Sequence, residues 1–111
     1  MILTNKTRNM IICENIREAK TLKEKTKGLI GSDGKTSLFF KTRFGIHTFG
    51  MDVPIDIIVL DGKSRAVKIK KNLSPNRTFF WNPIYEKIIE MPSERKDGKV
   101  RKGDILAISD K

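Results

Sequence analysis

The chain has 111 residues and a mass of 12.7 kDa, which leaves no room for a cofactor domain beside a separate substrate domain, so one domain over 1–111 is expected. Cys13 is the only cysteine and His47 the only histidine, which excludes an intramolecular disulfide and a Cys/His zinc centre within one chain. Lys and Arg number 23 against 13 Asp and Glu, giving a net charge of +10 and a pI near 10.0, an imbalance that raises nucleic acid or another anionic surface as a partner.

In chain order, Met1 to Asn5 and Met10 to Glu14 read as short strands joined by the polar turn Asn5 to Asn9. The opening residues turn polar at once and carry no small-residue cleavage site, so they do not read as a signal peptide. No apolar run approaches the length of a membrane span, and a cytoplasmic protein without membrane contact is expected. Thr21-Leu22-Lys23-Glu24 matches a capping box, and Gly31 supplies a stop, which predicts one short helix over Leu22 to Ile30. Its thin apolar stripe of Leu22, Leu29 and Ile30 suits packing on a sheet.

From Ser37 onward the signals are those of strands: Leu38 to Phe40, Ile46 to Met51 and Ile55 to Leu60. The last is apolar on both faces and is expected to be central and covered on both sides. Asp61-Gly62-Lys63-Ser64 forms a hairpin turn into Arg65 to Lys71, a strand with one wet face. Tyr85 to Met91 and Asp104 to Ser109 complete the set, with Lys99 to Gly103 as the turn before the last. Many short strands and one helix predict a mainly β fold, a compact β-sandwich or jelly-roll-like domain or a partly closed barrel.

Few groups suggest chemistry. On one extended strand His47, Phe49 and Met51 would project together, with Asp52 or Asp56 placed to accept the imidazole N–H. No nucleophile accompanies them, so a hydrogen-bonded structural role is the first reading of His47 and a His-dependent hydrolase or isomerase the lesser one. Asp56 is expected to accept backbone N–H groups at the Pro54 turn, because an unpaired carboxylate on an apolar face is costly. Phe79, Phe80 and Trp81 cannot all face inward on an alternating strand, so at least one is exposed or tucked under a loop, capping the core or stacking on a ligand.

Asp52, Asp56 and Asp61 lack calcium-loop spacing, and Gly28, Gly31 and Gly34 do not form a phosphate-cradling loop; no metal and no cofactor are expected. For nucleic acid the candidates are Lys20, Lys23 and Lys27 on the helix and Arg95, Lys96, Lys99, Arg101 and Lys102 in a basic loop. The excess charge is spread along the chain, and the absence of Gln with abundant Lys and Ile also resembles the surface bias of hyperthermophile proteins. Lys68 and Lys70 share a strand face, as do Glu86 and Glu90, and cross-strand ion pairs would form if those strands are neighbours.

The ordered segments Lys27 to Gly31, Ile46 to Gly62, Leu73-Ser74-Pro75, Ile88 to Pro92 and Lys102 to Leu106 resemble the Domain of Unknown Function 192 family, an uncharacterised protein family. The His47-x-x-x-Met51-x-x-Pro54-Ile55-Asp56 string carries most of the likeness. The resemblance implies a compact β-sandwich with a small helical insert and no agreed reaction. Two departures are the turn Pro92-Ser93-Glu94-Arg95-Lys96, where many members have a small Pro-Ala-Gly-like turn, and Gly50, where an aromatic is usual. Taken together, the reading is a non-catalytic module for an unknown ligand or protein partner, a monomer or weak homo-oligomer. Its expected concave surface combines His47, Met51 and Asp56 with Phe79, Phe80 and Trp81.

Overall fold

The computed structural model describes residues 1–21, 36–43, 45–93 and 99–110, and among these residues it holds ten strands and no helix. They are β1 (Ile2–Asn5), β2 (Met10–Cys13), β3 (Ile16–Glu18), β4 (Ser37–Lys41), β5 (Ile46–His47), β6 (Ile55–Leu60), β7 (Ala66–Leu73), β8 (Thr78–Phe79), β9 (Lys87–Pro92) and β10 (Leu106–Ser109). A five-stranded sheet in the order β3-β4-β9-β6-β7 forms the middle of the molecule. A three-stranded sheet, β10-β1-β2, covers one face and the β5-β8 ribbon covers the other. The fold is mainly β, with several sheets and no closed barrel.

The β6 sequence, Ile-Asp-Ile-Ile-Val-Leu, explains this layering. Alternate side chains of a strand point to opposite faces. Ile55, Ile57 and Val59 join Leu38, Phe40, Ile88, Phe79 and Trp81 on the ribbon side. Ile58 and Leu60 join Leu3, Ile12, Ile89 and Leu106 on the other. All six β6 residues are buried, as the doubly apolar pattern requires, and each aliphatic one contributes roughly 1.5–3 kcal/mol. The β6–β7 turn is locally encoded: Asp61 Oδ1 accepts the backbone N–H of Lys63 and of Arg65, each at 2.9 Å.

Several elements depart from the sequence reading. The predicted helix over 22–30 lies outside the described residues, as do Lys23, Lys27, Arg95 and Lys96. The strand expected over Ile46 to Met51 ends at His47, because the chain turns at Phe49 and Gly50, where Gly50 takes a φ of 86° and the Thr48 carbonyl accepts the Met51 N–H. His47, Phe49 and Met51 therefore do not share one extended strand face. β3 and β8 are too short to show a periodicity and were not anticipated. The strand expected from Tyr85 begins at Lys87, since Tyr85 closes a turn onto the Asn82 carbonyl.

The expected ion pairs between Lys68, Lys70, Glu86 and Glu90 are also overturned: β6 lies between β7 and β9, and Glu86 pairs with Arg43 at 3.3 Å instead. Glu90 is buried between the register positions of Leu38 and Ile57.

Candidate ligand-binding furrow

β7 is an edge strand of the central sheet, and its register places Lys68 opposite Val59 and Lys70 opposite Ile57. Both lysines thus rise on the ribbon side, at the margin where the apolar cover ends and a long side chain can keep its ammonium in water. Facing them is the segment 74–82. Phe79 and Trp81 drop into the core, and the Trp81 indole N–H is satisfied by the Tyr85 carbonyl at 2.9 Å. Phe80, between them, is 63% exposed. Alternation thus resolves the aromatic triplet, with two rings inside and one outside.

A furrow runs between β7 and this segment. Lys68 crosses it: Nζ stands 5.0 Å from the centre of the Phe79 ring and donates to the Phe80 carbonyl at 3.2 Å. On one side of that bridge lie Lys70, Leu73, Ser74, Arg77 and Phe79. On the other lie Arg65, Val67, Trp81, Asn82, Tyr85 and Lys102. Among the described residues no carboxylate lines either bay, so the furrow is apolar at its floor and positive along its rims.

The wall at 74–77 is held by Thr48, which is fully buried. Its hydroxyl lies 2.7 Å from the Ser74 carbonyl and 3.2 Å from that of Arg77, and accepts the Arg77 N–H at 2.8 Å. Its backbone N–H donates to the Arg77 carbonyl, and its carbonyl accepts the Asn76 N–H.

The six residues expected to form one concave surface are divided by the central sheet. Phe79 and Trp81 line the furrow, and Phe80 stands at its rim. His47 belongs to the ribbon, paired with Thr78, and Met51 packs against the core on the same side. Asp56 points to the opposite face, beside Ile12, Ile58 and Val100. Among the described residues no carboxylate bonds to His47; its Nδ1 accepts the Phe49 N–H at 3.3 Å, and its ring stacks on Phe49.

Asp56 does accept a backbone N–H, though not at the Pro54 turn: Oδ1 binds the Asn72 N–H at 2.8 Å and the Ser93 hydroxyl at 3.0 Å. Between the Ile55–Leu73 and Ile57–Lys70 pairs β7 carries one residue more than β6, and Asn72 has a φ of 55°. The carboxylate thus replaces a ladder acceptor at a bulge. The cavity beside it, about 30 Å³, has room for water and not for an organic ligand.

Of the remaining cationic candidates, Lys20 and Arg101 are exposed and Lys102 borders the furrow. Lys99 has a structural role, its Nζ donating to the Ile12 carbonyl at 3.3 Å. Lys70 and Arg77, which sequence reasoning did not offer as binding residues, are the cations that the fold brings together across one bay. The i, i+2 spacing of Lys68 and Lys70 was their only signal. Among the described residues no three His, Cys, Asp or Glu side chains converge as metal ligands, and no helix is long and apolar enough to cross a membrane.

Gly45 sets the position of Phe80. Its φ is 81°, and a Cβ there would lie 2.5 Å from Phe80 Cδ1 and 2.9 Å from the Phe79 carbonyl oxygen. Gly45→Ala is expected to lower stability by about 2–3 kcal/mol and to move the Phe80 ring. Thermal melting with an unchanged midpoint would contradict this.

No protein-family model and no curated protein matches the sequence. Solved structures share the fold. A protein of unknown function from Novosphingobium aromaticivorans superposes with a TM-score of 0.75 at 16% identity, over 96% of this chain and 82% of that one. A candidate transcription regulator from Sinorhizobium meliloti superposes with a TM-score of 0.70 at 13% identity, over 96% of this chain and 89% of that one. At these identities the likeness is one of fold.

Proposed function

We propose that the protein is a non-catalytic, cytoplasmic binding module of the Domain of Unknown Function 192 family, and that the furrow along β7 takes an anionic ligand. The observation that carries this reading is the juxtaposition of Lys68, Lys70 and Arg77 over an apolar floor with no carboxylate among the described lining residues. A surface whose cations served solubility alone would intersperse both signs. Among the described residues no carboxylate is hydrogen-bonded to His47, so no acid–base pair enters this reading. The fold shared with a candidate transcription regulator supports an anionic partner, and the Ile46 to Gly62 string supports the family.

Inorganic tripolyphosphate is the first probe. Calorimetry is expected to show binding that weakens as salt rises, because exposed charges are screened. The double variant K70E/R77E is expected to lower affinity at least about tenfold, the equivalent of ~1.4 kcal/mol, while K6E/K63E, two charges at turns outside the furrow, leaves it unchanged. Equal losses in both double variants would reduce the effect to net charge and sink the furrow as a site.

A further inference from the structure

We infer that the anion is a single-stranded nucleic acid, its bases stacked on the outer face of the β5–β8 ribbon and its phosphates running into the β7 furrow; this rests on the furrow's being an anion site. In the ribbon Ile46 pairs with Phe79 and His47 with Thr78. Ile46 and Phe79 face the core, so Gly45, His47, Thr78 and Phe80 occupy the outward positions. That face is aromatic.

The Phe80 ring fills the space where Gly45 has no side chain, with Cδ1 and Cε1 at 2.5 and 2.8 Å from the position a Cβ would take. It therefore lies against the ribbon while remaining 63% exposed. One strand repeat away, roughly 7 Å along the ribbon, the His47 ring stacks on Phe49 with centroids 5.2 Å apart, and Phe49 is 51% exposed. Exposed Thr78 stands directly opposite His47, in the same outward row.

Two aromatic surfaces at successive outward positions match what unstacked bases require, since every base presents a π-face and stacking on an aromatic side chain tolerates any sequence. The cations adjoin this row. Lys68 donates to the Phe80 carbonyl, and Arg77 immediately precedes Thr78, which itself borders the furrow. A strand laid across the ribbon would place its backbone over that rim. In a duplex the base faces are hidden in the stack, which leaves these aromatic side chains no π-face to stack on.

The test uses the full chain with a short labelled oligothymidylate, the same strand annealed to its complement, and tripolyphosphate. The single strand is expected to bind more tightly than the duplex, with affinity falling steeply with salt. Phe80→Ala is expected to weaken single-strand binding about tenfold, in the range of one lost base stack, while leaving tripolyphosphate binding and the salt slope unchanged. Phe80→Leu, which keeps an apolar side chain over Gly45 but has no π-face, should lose binding to the same extent.

K70E/R77E should instead reduce the salt slope, by about 1.4 if both cations meet phosphates of the strand. Stacking is overturned if either Phe80 variant binds the oligonucleotide as the wild type does, or if the duplex binds equally well, and the anion furrow survives that result. Absence of tripolyphosphate binding would overturn the furrow and this inference with it.

Discussion

Thr48→Val is expected to destabilise the protein by about 2–4 kcal/mol, with a fall in Tm of roughly 10 °C. Valine keeps the shape of threonine, so the loss isolates the hydroxyl. Without it the Arg77 N–H has no acceptor at 2.8 Å and the Ser74 carbonyl loses its donor, both against a side chain sealed from water. The backbone bonds of Thr48 to Arg77 and Asn76 remain, so the ribbon should still form while the 74–77 wall loosens. Tripolyphosphate affinity should therefore fall as well, because Arg77 is carried by that wall. An unchanged denaturation midpoint would show that the hydroxyl is dispensable.

Asp104→Ala is expected to cost a similar amount, about 2–4 kcal/mol, and to change the response to acid. The buried Asp104 Oδ2 accepts the Asn5 side-chain amide at 2.7 Å and the Arg101 N–H at 2.9 Å, closing the 101–104 turn against the β1–β2 hairpin. Asn5 is itself buried, donates also to the Lys99 carbonyl at 2.8 Å and accepts the Arg8 N–H, so it loses a partner that water does not replace. The Asn5 amide is the main cause that holds the Asp104 carboxyl below its ordinary value, aided by the Arg101 N–H and the charges of Arg8 and Arg101 against the opposing effect of burial.

A carboxyl whose pKa is lower in the folded state stabilises the fold above its unfolded value, near pH 4 (about 3.9 for Asp), and that stability is lost as the pH falls through the folded value. Asp61, held down chiefly by the Arg65 N–H, acts in the same direction. Denaturant unfolding at neutral pH and near pH 3 (roughly one unit below the unfolded value) should therefore show the wild type losing stability on acidification, and Asp104→Ala losing less of it. Equal losses in the two proteins would contradict this assignment.

What the sequence disclosed follows the range of each interaction. β6 was legible because five of its six residues are aliphatic and fall on both faces, and the Asp61 turn because its hydrogen bonds close within a few residues. That at least one of Phe79, Phe80 and Trp81 must be exposed or tucked under a loop followed from strand alternation, whereas the exposure of Phe80 in particular is seen only in the fold. Sheet order has no such local signature: two strands that look ready to exchange ion pairs are separated by β6, and Lys68 finds an aromatic ring where a glutamate was expected.

Asn5 and Thr48 were invisible for the same reason. A short polar residue near an apolar strand looks like any solvent-facing position until its partners, here as far away as Asp104 and Arg77, arrive in space. His47 and Asp56 were joined in the reading because they are close in sequence, yet one sits in the ribbon and the other on the far side of a sheet. The furrow likewise needs the fold, since its cations come from β7 and from the loop before β8.

β7 has a further consequence for how copies of the molecule meet. A strand with one side unpaired is a template on which another chain can add by backbone hydrogen bonding. Here the strand carries Lys68, Lys70 and Lys71, its start at Ala66 is already paired with Gly103 and Asp104, and the Asn72 bulge held by Asp56 on the β6 side breaks its regular run. A second copy approaching in register would meet like charge on an irregular strand, so the basic residues of β7 oppose the addition of another strand there.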